Sequence, residues 1–409
     1  MKKFAAAALA AALMCGTAMA TDLEVTHWWV SGGEAAAVAE LAKAFDAEGD
    51  HWVDGAIAGS GSTANPIIIS RILGGNPMGA TQMNTGRDAE ELIQAGLMQD
   101  LSEVATAEHW ADVIRPASVF APCQVDGKVY CVPVNIHSNN WLWLNRHVFL
   151  DNGLEVPTTW DQFVDSFPAL KDKGIIPLSM GPAWTVTHAW NQIFVDIAGP
   201  EVQQEIYRDK SVDAVRSDDF KAALQAFADV RDSFDPATQT GLWNEATNLV
   251  ITGQAAGNIM GDWAQGEFAV AGKVAGEDYD CLPGLGVREL VDTGGDSFYF
   301  PKNEDPEITA AQLRLAKLLL SPDVQVAFNL KKGSTPVRGD VDTSTANACM
   351  QKALKLFADP TKVLPASESQ LTSDTQQQIE DLISEFFSDH SITVDDAQNR
   401  FADIIASAQ

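Results

Sequence analysis

With 409 residues, 56 acidic and 27 basic side chains, the chain carries a formal net charge of −29. A surface that acidic repels phosphate backbones and anionic headgroups, which speaks against nucleic acid and membrane surfaces as partners. Its length exceeds what one hydrophobic core usually organises, so two domains are expected.

The first twenty residues, MKKFAAAALAAALMCGTAMA, pattern as a secretory signal: Lys2 and Lys3, a short apolar run from Phe4 to Met14, then Ala18-Met19-Ala20 as an A-x-A cleavage site. The run is too short to span a bilayer, and no later segment reaches about 18 uninterrupted apolar residues. Cys15 is set aside as a lipid anchor, because Ala12-Leu13-Met14 lacks the small residues such a cleavage site wants. The expectation is an exported, soluble, unanchored chain starting at Thr21, with a net charge near −31 once the two lysines are gone.

LEVTHWW is a β-rich run, and Ser31 opens a helix with Val38, Leu41, Ala42 and Phe45 on one stripe. Alternation forbids neighbouring strand side chains from sharing a core, so Trp28 and Trp29 cannot both be packing residues of one face. WVDGAIAG reads as a strand, and NPIIISRIL as a helix with Ile67, Ile68 and Leu73 inward; a strand near Ala80–Met83 and a helix ending at Gly96 follow. Cys123 and Cys131 flank a hairpin signal at Asp126-Gly127. A two-residue loop there sets Cys123 opposite Tyr130, so a 123–131 bridge is expected to need a longer loop or a bulge. Cys281 would then pair with Cys349.

The segment VYCVPVNIHSNNWLWLNRHVF is extended, broken by Pro133, with Trp141 and Trp143 on one face. Thr159 and Gln162 form a capping-box signal. GIIPLSM is a strand, followed by helices near Trp184–Ile197, 217–232 and 244–252, and a strand AAGNIM that ends in GDW. GDSFYFPKN is another strand. ITAAQLRLAKLLL is a helix, and so is SPDVQVAFNLKKG, capped by Ser321 and stopped by Gly333. The last 60 residues read as mostly helical. Strand–helix alternation of this kind argues for α/β sheets covered by helices.

Six segments in this order, HWWVSGGE (27–34), PVNIHSNNWLW (133–143), PTTWDQF (157–163), NIMGDWAQGEF (258–268), GDSF (295–298) and NLKKGSTPVR (329–338), resemble the extracytoplasmic sugar-binding proteins of bacterial ABC importers. The glucose/mannose-type subgroup is the most similar. The resemblance covers essentially the whole mature chain. It implies a type II-like periplasmic binding fold: two α/β lobes joined by crossover strands, with the ligand in the cleft between them. Residues 21–132 plus about 293–338 would form the N-terminal lobe, and about 133–292 plus 339–409 the C-terminal lobe. The implied partners are a small neutral sugar and the permease subunits of the inner membrane, for a monomer in the periplasm.

A pyranose offers an apolar C–H face to aromatic rings and a rim of hydroxyls to carboxylates, amides and ammonium groups. Trp28 and Trp29 stand where a strand's carboxyl end meets a helix, the usual rim for ligands in open α/β sheets; interlobe packing is the plain alternative. Glu34 completes a Ser31-x-x-Glu34 capping box, while the resemblance to SGGE implies a sugar contact. Trp263 resembles a family cleft residue, Trp243 lies in a loop before a helix, and Asp262 reads as an N-cap. His137 and Asn139 follow the Pro133 crossover and fit a hinge-adjacent wall, although a lone histidine is more often structural. The resemblance implies that Asp296 and Lys332 bond sugar hydroxyls, although Lys332 also suits a helix's last turn. Gln82 matches the subgroup. Asn84 replaces an expected lysine and Ser369 an expected histidine, which suggests a larger pocket and a disaccharide or other glycoside as ligand.

No cofactor or metal is expected: the cysteines and histidines follow no zinc spacing, and GSGS at 59–62 lacks the residues of a phosphate loop. The competing reading is a secreted glycosidase with Glu34 and Asp296 as its acid pair.

Overall fold

The computed structural model describes residues 20–365 and 370–408. The expected signal up to Met19 lies outside the described residues, and so does Ser369. A five-stranded sheet runs in the order 51–56, 22–27, 80–84, 296–299, 131–133. Its first three members are parallel, because the helices Gly32–Ala47 and Gly61–Leu73 carry the chain back between them. Asp296–Tyr299 inserts antiparallel between Ala80–Asn84 and Cys131–Pro133, so one central strand returns from far down the chain. A second sheet of four strands runs 279–283, 141–145, 255–259, 176–179. Here Trp141–Asn145 is antiparallel to both neighbours, and Ala255–Ile259 is parallel to Ile176–Ser179.

Each sheet has its own apolar core. One gathers buried side chains from Leu23 to Ile136 and from Phe298 to Val337; the other gathers them from Leu142 to Leu285 and from Leu371 to Ile405. The chain passes between the cores through a three-stranded sheet, 363–365, 291–294, 137–138. Beside it Ile136 and Thr335 exchange backbone hydrogen bonds of 2.8 and 3.0 Å. A third, smaller cluster runs from Trp141 and Trp143 to Cys349 and Ala353 beside the second sheet. This mixed α/β arrangement of two main sheets fits the expected fold class.

Local departures from the sequence reading have simple causes. The helix Gly61–Leu73 buries Ala64, Ile68 and Ile72, an i, i+4, i+8 stripe. Ile67 and Leu73 flank that stripe and are 45% and 63% exposed, so neither points inward. Thr159 does cap its helix, but the Gln162 carboxamide accepts from Thr158 N–H rather than from Thr159. The hairpin at Asp126-Gly127 is a strict two-residue turn, with Gln124 opposite Val129 and both turn residues at positive φ. Tyr130 N–H donates to Cys123 O at 2.9 Å, as that register requires. Cys123 and Cys131 are nevertheless bridged without a bulge, because Cys131 has already left the hairpin for the main sheet.

The second bridge joins Cys281 to Cys349 across 68 residues and ties the helix Ala348–Phe357 to the strand Tyr279–Pro283. On the chain-entropy account a loop of that length contributes about 4 kcal/mol, against about 2 kcal/mol for the eight-residue separation of the first bridge. Paired Cys→Ser replacement at 281 and 349 is therefore expected to lower the urea midpoint more than the same change at 123 and 131. Equal or reversed shifts would sink that assignment of roles.

Candidate functional site

The carboxyl ends of the strands 22–27 and 80–84 meet the start of the antiparallel strand 296–299 at one edge of the first sheet, with Asn84 in register with Asp296. Trp28 and Trp29 come immediately after the first strand and divide the two expected roles. Trp29 is 2% exposed and packs its ring 5.3 Å from Phe328 and 5.7 Å from Phe298, so it is chiefly a core residue with an edge on the cavity. Trp28 stays half-buried and lines a cavity of about 320 Å³. Trp29, Glu34, Asn84, His137, Trp243, Trp263, Asp296 and Lys332 line the same cavity. Asn139, singled out with His137, lines it too. Of the expected sugar contacts among the described residues, only Gln82 lies off the wall: it is fully buried, and its amide donates to Asp296 at 2.7 Å.

The floor of the cavity is charged. Lys332 is 2% exposed and donates to Glu34 at 2.9 Å, whereas Lys331 beside it is exposed. The Ser31 hydroxyl accepts from the Glu34 N–H and donates to the other Glu34 carboxylate oxygen, so this one residue serves both the helix start and the ion pair. His137 lies between two carboxylates, Nδ1 2.6 Å from Asp262 and Nε2 2.9 Å from Asp296. Two anionic neighbours require a proton on both ring nitrogens. Burial opposes that charge, but Asp262 and then Asp296 hold the imidazolium to a pKa of about 9. Burial likewise works to raise Asp296, yet the His137 bond and charge, with Lys332 and Asn135, bring it down to about 2. Asp262 is not an N-cap: it is buried and takes the Ser138 N–H and hydroxyl at 2.8 and 3.0 Å, besides His137.

The second core supplies the facing wall. Trp263 follows the strand Ala255–Ile259, with its ring edge-on to His137 at 4.9 Å. The helix Ala183–Ala198 turns Trp184, Thr187, His188 and Asn191 onto the cavity and buries Ala189, Trp190, Ile193 and Phe194 on its other side. The i, i+3, i+4, i+7 spacing of that aromatic and polar set is the signal in the sequence that points to it. His188 Nε2–H donates to Asn139 O at 3.0 Å, and burial pulls its pKa down to about 4, so the ring is neutral with Nδ1 left as an acceptor. Gly59 to Ser62, dismissed as a phosphate loop, lines the cavity beside Trp28. Gln376 and Glu380, from the helix Ser373–Ser388, close one end.

Gly33 and Gly266 bring the two sides together near the floor. A Cβ on Gly33 would stand 2.4 Å from the Gly266 carbonyl carbon, and the Gly33 N–H donates to Glu267 at 2.7 Å. The second glycine of SGGE is thus needed for close approach of the helices Gly32–Ala47 and Ala264–Val270, a reason the sequence alone did not supply.

Flat rings around paired charges suit a ligand with apolar faces and many hydroxyls. A second cavity of about 650 Å³, lined by Arg288, Lys352, Lys355 and Lys362 among others, has no aromatic side chain on its wall and so offers no such stacking surface. Acid catalysis at a glycosidic bond needs a carboxyl group kept protonated near neutral pH. Asp296, held near 2, does not meet that requirement, and Glu34 is committed to Lys332.

Residues 30–326 match the family of bacterial extracellular solute-binding proteins. A probable sugar-binding periplasmic protein of Brucella melitensis is 35% identical over 362 residues, which cover 87% of this chain and 85% of that protein. A protein described in the same words from Rhizobium meliloti is 34% identical over 364 residues, 88% of this chain and 87% of its own. Among solved structures, a chitin oligosaccharide binding protein superposes with a TM-score of 0.75 at 20% identity, covering 95% of this chain and 99% of that one. Maltose-bound MalE3 of T. maritima superposes with a TM-score of 0.73 at 17% identity and the same coverage; at these identities both show the two-domain fold. With the family pattern spanning most of its length and relatives of this similarity along the rest, the chain belongs to the bacterial extracellular solute-binding proteins.

Proposed function

We propose that this protein is the periplasmic subunit of an ABC importer that captures a sugar and presents it to the membrane permease, acting as a monomer without catalysis. The observation that carries the reading is the placement of Trp28, Trp184, Trp243 and Trp263 around a floor of paired charges, Glu34–Lys332 and Asp262–His137–Asp296. Rings take the C–H faces, and the charged groups take hydroxyls at capacity their existing bonds leave unused. The names of the Brucella and Rhizobium relatives agree with a sugar ligand and with the periplasm.

Residues 21–132 with about 293–338 act as one lobe, and about 133–292 with 339–409 as the other. The sugar shifts the population toward a closed form by touching both walls at once. The ligand is a glucose- or mannose-like monosaccharide or a small glycoside. The short Asn84 side chain at the open strand end favours the larger of these.

Calorimetric titration against neutral mono- and disaccharides, with tryptophan fluorescence alongside, is expected to give 1:1 binding at micromolar concentration or tighter and a spectral change. Silence from every sugar would remove the reading. Trp28→Ala is expected to weaken binding at least tenfold, since losing a stacked ring forfeits about 1.5–3 kcal/mol of burial. Lys332→Met leaves Glu34 buried without its cation, so both affinity and stability should fall, the latter by about 3–5 kcal/mol. If that variant bound and melted like the parent, the floor would have no part in the site.

The charge chain also sets a pH window. Folding raises the His137 pKa from 6.5 to about 9, so its stabilising contribution is complete below pH 6.5 and fades as pH rises through 9. Folding lowers Asp296 from 3.8 to about 2, so its contribution is complete above pH 3.8 and fades as pH falls through 2. Melting temperature measured from pH 6 to 10 should decline in the parent and decline less in His137→Asn. Parallel curves for the two proteins would show that His137 does not carry this dependence.

A further inference from the structure

Five charged groups at the floor of the cleft are matched with one another, but the carboxylate at its end is not. Glu380 is half-buried and lines the cavity, and its one hydrogen bond is an amide donated by Gln376 at 3.2 Å. Among the described residues no lysine, arginine or histidine pairs with it. Burial pushes its carboxyl group upward against the Gln376 bond, with the Asp381 charge adding to the rise. Across from it Thr187 and Gln192 of the helix Ala183–Ala198 line the same cleft, but Thr187 Oγ1 and Gln192 Oε1 are closed off from it and offer a ligand no acceptor.

We propose that Glu380 is a specificity-determining residue, an unmatched carboxylate at the end of the cleft that takes hydroxyls of neutral sugars and turns away their anionic counterparts. This rests on the sugar-capture reading above and deepens it. A sugar hydroxyl donates to Glu380 at an acceptor position that its single bond from Gln376 leaves unused. A carboxylate or phosphate at that position brings no donor and adds a negative charge beside one that no cation balances. Taken with its immediate partners, the cleft holds two cations, Lys332 and His137, against the four carboxylates Glu34, Asp262, Asp296 and Glu380, so the repulsion is not offset elsewhere.

The test pairs each neutral sugar with its uronic acid, glucose with glucuronate and galactose with galacturonate, in calorimetric titrations at pH 7.5. For any pair that binds, the neutral member should bind the parent at least tenfold more tightly, and Glu380→Gln should shrink that ratio at least threefold. Glu380 sits on a partly exposed helix face, and a melting curve of the variant confirms that it is folded. A uronate that binds the parent as tightly as its neutral sugar, or a ratio that Glu380→Gln leaves unchanged, overturns the assignment while sugar capture stands. Failure of every sugar, neutral or anionic, overturns both.

Discussion

The chain Asp262–His137–Asp296 is the constraint on which the cleft depends. Removing a lone carboxylate or imidazolium from water costs several kcal/mol, and that cost is met only while all three groups stay within hydrogen-bond distance. Asp262 follows the last inner strand of one sheet, Asp296 opens a strand of the other, and His137 lies on the strand that crosses between them. Three segments far apart in sequence are therefore locked at one point by charge. The Gly33–Gly266 contact and the 2.7 Å bond from Gln265 to Gly333 O hold the neighbouring backbone to the same arrangement. A floor fixed in this way leaves the walls above it as the part free to respond to a ligand.

Partnered charges are also better prepared for hydroxyls than isolated ones. Lys332 has three donor positions and spends one on Glu34; each ionised carboxylate has about four acceptor sites. A hydroxyl, which both donates and accepts, can be inserted between such groups without breaking the pairs that make their burial tolerable. The end wall differs because Glu380 has no such matching. On the proposed reading, floor and end wall ask different questions of a ligand: the first whether it has hydroxyls, the second whether it carries charge.

What was legible in the sequence was local or came as an ordered set of motifs. Strand–helix alternation, the cap at Ser31 and the stop at Gly333 follow from spacing and conformational preference, and the structure has them. The residues carried by motifs gather around one cavity, with Gln82 placed behind it as support for Asp296. The pairings were not legible. Nothing near residue 262 announces that its carboxylate will meet His137 rather than cap a helix, because the partner is 125 residues away. The polar stripe from Trp184 to Asn191 shares its helix with a buried apolar face, and only the helix was read; Glu380 lies in the last 60 residues, read simply as mostly helical. Inward-facing apolar residues were overcounted at Ile67 and Leu73 for the opposite reason: apolar character does not oblige a residue to be buried.

The adjacent tryptophans show how a motif acquires its chemistry from distant residues. Two large neighbouring rings cannot share one core, and the fold gives Trp29 to the packing around Phe298 and Phe328. Trp28 is left with the cleft, where its ring needs clearance. Gly61 provides it: a Cβ there would approach the Trp28 ring to 3.3 Å and the Asn84 amide to 3.6 Å. The short Asn84 side chain stands beside the same glycine, at the open end of its strand. A longer side chain at 84 would fill the space next to the ring and shorten the cleft on this side. Glu380 closes a wall that the helix Ser373–Ser388 contributes. On the proposed reading, the length of ligand the cleft admits is set from the first core, by Gly61 and Asn84 beside Trp28, and the charge it tolerates from the helix that carries Glu380.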